Sequence, residues 1–157
     1  MKIKLCSVGK PHEKYIKEGV EDFTSRIQKY YPAEWCIIAP PKNAAALSEQ
    51  ELKKAEAALI LSQLQKDHYL VLLDETGKQF SSVELSNFIQ QRANESVKQL
   101  MFLIGGAFGV DDAVKQRANF TWSFSKLVFP HMLIRLMLAE QVYRACTISR
   151  NEKYHHI

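Results

Sequence analysis

Apolar and charged positions alternate over residues 2 to 8, KIKLCSV, and the run ends at Gly9. A period of two is that of a half-buried strand. The spacing then changes. Between residues 12 and 30, Tyr15, Ile16, Val20, Phe23, Ile27 and Tyr30 recur at helical steps, and Pro32 closes the segment. EWCIIA (34 to 39) predicts a second strand, stopped by Pro40 and Pro41. Ser48 and Glu51 have capping-box spacing and open a helix to about Gln65. HYLVLLD (68 to 74) predicts a buried strand with Glu75 to Gly77 as its exit turn. Ser81 and Glu84 repeat the capping-box spacing for a helix to about Asn94. QLMFLI (99 to 104) predicts a fourth strand. Asp111 is placed to cap a short helix to about Arg117, and NFTWSF (119 to 124) predicts the last strand. Pro130 precedes a long helix from His131 to about Ile148, followed by a polar tail.

Short apolar strands alternating with helices predict an α/β fold, a mainly parallel sheet with helices on both faces. No linker, repeat or low-complexity block interrupts the 157 residues, which predicts one domain over 1–157. Ligands of such sheets gather at the carboxyl ends of strands. Three exits therefore matter: after Leu73, after Ile104 and after Trp122.

Composition narrows the classes. The chain is 46% hydrophobic and 24% charged, which is globular, and its net charge of +4 fits nucleic acid without demonstrating it. Cys6, Cys36 and Cys146 are far apart, with no CxxC pair, which argues against a disulfide framework or a zinc site. No apolar run approaches the ~20 residues of a membrane span. The N-terminus lacks a signal-peptide core, so a cytoplasmic location is expected.

The chemistry is expected in three stretches. The first is MFLIGGAFGVDD, residues 101 to 112, a buried strand running into glycines. It is not a P-loop, because no Lys-Ser/Thr follows the glycines. It is not the dinucleotide fingerprint either, because the pattern is G-G-x-x-G. Asp111 and Asp112 would repel a pyrophosphate, so a ligand of little or positive charge is expected against bare backbone. A tight turn with no ligand is the alternative. The second stretch is SFSKLVFPHMLIR, residues 123 to 135. Its aromatic and aliphatic residues are either packing or the walls of a slot for a planar ring. On the helix that follows, His131 and Arg135 share one face, while Glu140 and Arg144 have ion-pair spacing on nearly the opposite face. The helix is apolar around most of its circumference, which points to a subunit interface or to a central core helix. The third stretch is the tail, SRNEKYHHI, where Arg150, Lys153, Tyr154, His155 and His156 could hold a phosphate or stack on a base. With no carboxylate or cysteine at ligand spacing, no metal site is expected there.

LLDETGK, FLIGGAFGV, SFSKLVFPHMLIRLMLAEQVYRA and KYHH, with KIKLCSVGK at the start, occur in order along nearly the whole chain. Together they resemble the small SPOUT-class methyltransferases of large-subunit ribosomal RNA. The resemblance implies a trefoil knot in the C-terminal half, about residues 70–157, and a homodimer with the long helix at its interface. It implies S-adenosylmethionine as cofactor, held by Leu73, Gly105, Phe124, Ser125, Lys126, Leu127, Val128 and Phe129. It implies methylation of N3 of a pseudouridine in 23S ribosomal RNA. His156 stands where the family pattern has a longer basic residue. Histidine titrates near neutral pH, which would make a phosphate contact there pH-dependent.

An imide nitrogen must lose its proton as it attacks an electrophilic methyl, so alignment and proton removal are both needed. His155 or His131 is expected near that proton and Tyr154 on the base. Arg144, like Arg135, is expected to hold phosphate or orient a neighbour, with Glu140 paired to Arg144. Arg135, Lys153 and His156 are the expected RNA contacts. The tail is expected to act on a partner subunit's site. With no separate RNA-binding module, the chain is expected to need the ribosome or large subunit as its partner. The rival reading from another class is a non-catalytic nucleotide- or RNA-binding module of flavodoxin-like build.

Overall fold

A computed structural model describes residues 1–156. The elements run β1 (Lys2–Val8), α1 (Lys14–Ile27), β2 (Ala33–Ile38), α2 (Glu49–Ser62), β3 (Tyr69–Gln79), α3 (Ser82–Asn94), β4 (Gln99–Ile104), α4 (Asp112–Arg117), β5 (Phe120–Ser123) and α5 (His131–Ser149), with a short 3-10 turn at Ala44–Ala46. The five strands form one sheet in the order β2-β1-β4-β3-β5. Every pairing is parallel.

Strand side chains alternate between the two faces of this sheet. Ile3, Leu5, Val71, Leu100, Phe102 and Trp122 join one core, which also contains α5's Leu138, Ala139 and Val142. Cys6, Val8, Leu70, Leu72, Met101 and Leu103 join the other, with α2's Ala57 and Ile60 and α4's Val114. All six residues of β4 are buried, because helices cover both its faces. Each such side chain contributes roughly 1.5–3 kcal/mol.

The local signals explain most of the boundaries. Ser81 and Glu84 form the full capping box of α3. Ser48 caps α2 by accepting from the Glu51 amide, but the Ser48 hydroxyl donates to Glu51 Oε1, so the reciprocal half of the box is missing. Asp111 caps α4 through the Ala113 amide. Two expectations need correction. Tyr15, placed on the apolar face of α1, is 68% exposed. Glu75 to Gly77 do not end β3. They lie within a bulge, because Leu73 and Lys78 both pair with Trp122. Asp74 Oδ1 closes this bulge by accepting from the amide and hydroxyl of Thr76. Gly77 is required there: a Cβ would lie 2.7 Å from the Thr121–Trp122 backbone.

Helix α5 packs between α1 and α3 over β1 and β4. Its residues Leu138, Ala139, Val142, Ala145 and Cys146 are buried, as the core-helix alternative requires. A second stripe, Leu133, Met137, Glu140 and Arg144, follows the same three- and four-residue steps on the outer side. Leu133 is exposed there, and Leu127 and Val128 are exposed in the preceding loop. Among the described residues no helix is long and apolar enough to cross a membrane. The thiols of Cys6, Cys36 and Cys146 are free, and burial pushes that of Cys146 up to about 12.

Candidate active site

The exits of β3, β4 and β5 converge on one cavity of about 420 Å3. That volume lies within the range of small-molecule sites. Of the residues expected to hold a cofactor, Leu73, Gly105, Phe124, Ser125, Leu127, Val128 and Phe129 line it, and Lys126 does not. His131 and Ile134, from the first turn of α5, close one side.

The glycine loop is shaped by crowding. A Cβ on Gly105 would lie 2.7 Å from Val110 Cγ1, and one on Gly106 would lie 2.7 and 2.8 Å from the carboxylate oxygens of Glu56. The Gly109 amide bonds back to the Gly106 carbonyl at 3.1 Å, and Gly109 has φ +80°. Only glycine is comfortable at such a φ. The loop after β5 is braced by its own serines. Ser123 Oγ donates to the Ser125 carbonyl at 2.9 Å, and Ser125 Oγ accepts from the Leu127 amide at 3.0 Å. Phe124 packs on Trp122 with ring centroids 4.5 Å apart, so this wall is part packing and part slot.

The charges of the cavity differ from expectation. Asp111 and Asp112 do not line it; Asp111 is committed to capping α4. The acids on its wall are Asp74 and Glu75, brought in by the β3 bulge, and the bases are Lys53 and Lys115. Sequence reasoning misses Asp74 and Glu75 because the apolar pattern ends the strand before the bulge, and Lys53 and Lys115 because only the tertiary packing of α2 and α4 brings them to the cavity. Nor does any local motif mark Glu56, which is buried on α2 under Gly106. Desolvation raises the pKa of Glu56.

Arg135, an expected RNA contact, points inward in this fold. It is 1% exposed and heads the buried side chains by volume. Its Nε donates to Ser7 Oγ at 3.0 Å and its Nη1 to the Lys10 carbonyl at 2.9 Å, with His12 Nδ1 at 3.3 Å from Nη1. Its Nε and Nη1 are thus committed to Ser7 and to the turn after β1. Desolvation, and then Arg135, lowers the pKa of both His12 and His131, so these imidazoles are neutral at pH 7.

At the far end of α5 the tail folds back on the helix. Tyr154 Oη donates to Glu140 Oε1 at 3.0 Å, and Arg144 Nε donates to the same oxygen at 3.0 Å. Arg144 Nη1 lies 3.3 Å from His155 Nδ1, and the guanidinium carbon sits 4.7 Å from the Tyr154 ring centroid. Burial, and then the bond to Glu140, pushes the Tyr154 hydroxyl up, so it stays a donor. Lys153 and His156 are exposed beside this cluster. The fold thus brings Tyr154, His155 and Arg144 together. It does not bring them to the cavity of the same chain: thirteen residues of helix at ~1.5 Å each put Arg144 about 20 Å from His131.

Comparison with known proteins agrees with this geometry. The family described as "Predicted SPOUT methyltransferase" matches residues 1–155. A protein of Cytophaga hutchinsonii named Ribosomal RNA large subunit methyltransferase H is 46% identical over 156 residues, covering 99% of this chain and 100% of that protein. One of the same name from Christiangramia forsetii is 44% identical and covers 99% of each chain. A solved structure of a probable methylase family protein from Haemophilus influenzae Rd KW20 shares the fold with TM-score 0.55 at 10% identity, over 99% of this chain and 70% of that one. Matched by the family model over residues 1–155 and by relatives 44–46% identical over nearly its whole length, the chain belongs to the SPOUT methyltransferases.

Proposed function

We propose that this chain methylates N3 of a pseudouridine in large-subunit (23S) ribosomal RNA, with S-adenosylmethionine as methyl donor, in the cytoplasm and on assembled ribosomes or large subunits. The carrying observation is the cavity at the three strand exits, in a chain whose relatives bear the name ribosomal RNA large subunit methyltransferase. Its lining suits that cofactor: Leu73, Phe124, Leu127 and Val128 supply apolar walls for a flat ring beside the glycine backbone. Asp74 and Glu75 on the wall offer partners for a cationic sulfonium, and Lys53 and Lys115 for the cofactor's carboxylate. When bound, S-adenosylmethionine supplies an electrophilic methyl; no metal is needed for that chemistry.

The protein's own groups then have two tasks. Leu73, Gly105 and the Phe124–Phe129 loop hold and orient the donor. Tyr154, His155 and Arg144 receive the base, with Tyr154 stacking on it or bonding to it. The N3 proton passes to His155 or to the neutral His131. Lys153 and His156 contact RNA phosphate. Because the two sets lie at opposite ends of α5, they combine only if the tail of one subunit meets the cavity of another. We therefore read the outer stripe of α5, with Leu127 and Val128, as the face of a homodimer. The same reading takes 1–157 as one domain with a trefoil knot within about 70–157.

Labelled-methyl transfer to unmodified ribosomes, followed by mapping of the modified base, tests the reaction. Label at N3 of a pseudouridine is expected. Label elsewhere would overturn the target, and equal labelling of free ribosomal RNA would overturn the need for the assembled particle. A chain that gives no thermal shift with S-adenosylmethionine would be the non-catalytic module instead.

A further inference from the structure

We infer that the groove between the C-terminal ends of α1 and α5 is a second RNA site, which takes the phosphodiester backbone and a neighbouring base beside the methylated nucleotide. The inference rests on the reading that RNA is the substrate. The groove, about 380 Å3, is bounded by Arg26, Lys29, Tyr30, Tyr143, Arg150 and Glu152. Its three cations come from two helix ends: Arg26 from the last turn of α1, Lys29 from the turn that follows it, and Arg150 from the cap of α5. Arg26 has a half-exposed i,i+4 pair with Asp22 at 3.2 Å. Among the described residues no carboxylate bridges Lys29 or Arg150.

The one acid in the groove, Glu152, is held against α1, where its Oε2 accepts from Tyr30 Oη at 2.6 Å. Asn151, at φ 55°, turns the chain out of α5 towards it. Counting Asp22 and Glu152 against the three cations leaves the groove net positive.

The rings matter as much as the charge. Arg26 lies 5.5 Å from the Tyr143 ring centroid. The Tyr143 ring in turn meets the Tyr154 ring, 4.7 Å away and edge-on. A strip of alternating cations and rings therefore runs from Lys29 and Arg26 through Tyr143 to Tyr154 and Arg144. Single-stranded RNA is held in this way, phosphates on cations and bases on rings. The packing of Tyr143 on Phe23 explains its own burial. It does not explain why cations from two helix ends ring an open groove that leads to the tail.

The test is co-sedimentation of the full-length protein with large ribosomal subunits over a range of salt, alongside methyl transfer. Lys29→Glu combined with Arg150→Glu is expected to weaken sedimentation by about tenfold or more. The log–log salt dependence should flatten by about one for each phosphate that the protein no longer neutralises. In turnover the loss appears in KM for subunits rather than in kcat. The Lys29→Gln and Arg150→Gln pair moves in the same direction by less. Lys17→Glu, the same charge change on an exposed face of α1, does not move it. Unchanged affinity and salt slope in the glutamate pair would overturn the site. So would a fall in kcat alone, which would make the groove only an anchor for the tail. A native protein whose subunit binding depends on the groove but which transfers no methyl would sink the proposed reaction and leave the groove standing.

Discussion

The two ends of α5 are built in opposite ways. At the N-terminal end the cavity is made by backbone: three strand exits, two glycines pressed against Val110 and Glu56, and a loop tied by Ser123 and Ser125. At the C-terminal end the cluster is made of side chains, with Tyr154, Arg144 and His155 gathered on Glu140. Backbone walls hold a ligand whose shape does not change between turnovers. Side chains on a tail suit a substrate that must arrive, be aligned and leave. The contrast predicts that lesions at the two ends separate: one in donor binding, the other in transfer.

The largest effect is expected from the tail. Tyr154→Ala with His155→Ala should lower methyl transfer to ribosomes by about 10³-fold or more, the scale of losing alignment and a proton acceptor together. Affinity for S-adenosylmethionine, read by calorimetry, should stay near the native value. Mixing that protein with a Gly106→Ala protein should restore part of the activity, since mixed dimers contain one intact pairing of tail and cavity. No recovery would mean that each subunit uses its own tail.

Next comes the loop. Gly106→Ala puts a methyl 2.7 Å from the Glu56 carboxylate. Glu56 is buried, so either its carboxylate withdraws or the glycine loop moves, and the expected outcome is that the loop moves. The expected loss of S-adenosylmethionine affinity is about tenfold to a hundredfold, about 1.4–2.7 kcal/mol. Shortening the acid with Glu56→Ala in the same chain should recover part of it. A Gly106→Ala protein with native affinity would remove the loop from the cavity wall.

These two ends were not equally legible in the sequence. Strand exits follow from where apolar runs end, at Asp74, Gly105 and Ser123, so Leu73, Gly105 and Phe124 could be named from pattern and resemblance. The β3 bulge could not, because Glu75 to Gly77 read as an ordinary exit turn; what decides otherwise is Gly77 pressed on the β5 backbone, a contact far along the chain. Arg135 shows the same limit. Its spacing from His131 is a fact of the helix, but whether that face meets RNA or the turn after β1 depends on tertiary packing. The groove at Arg26, Tyr30 and Arg150 joins residues more than a hundred positions apart, and no local motif marks it.

Arg135 also allows a smaller test. Arg135→Met leaves Ser7 Oγ and the Lys10 carbonyl without their partner, while relieving the desolvation of a buried cation. The unmade bonds should dominate, with a loss of about 1–3 kcal/mol in chemical denaturation. The turn from Gly9 to His12 should loosen in hydrogen exchange while the tail cluster keeps its protection. Equal loosening at both ends would mean that α5 transmits the lesion and that the ends are not independent.

The smallest effect is the pH dependence that this same corner confers. The imidazoles of His12 and His131 are held below their ordinary pKa by desolvation and by Arg135. Near and below that ordinary value, ~6.5, the unfolded chain therefore binds more protons than the folded one. Stability must then rise with pH across this window. It is fully present above about 6.5 and declines as the pH falls towards the depressed folded values. The exposure of His131 lets solvent screen its share, so His12 should carry more of the decline. His12→Asn should flatten the fall in thermal midpoint between about pH 6.5 and pH 5 more than His131→Asn does. Tyr154→Phe in the tail should leave that slope alone. A slope that flattens with Tyr154→Phe instead would place the lesion at the wrong end of α5 and undo the division between a backbone-built end and a side-chain-built one.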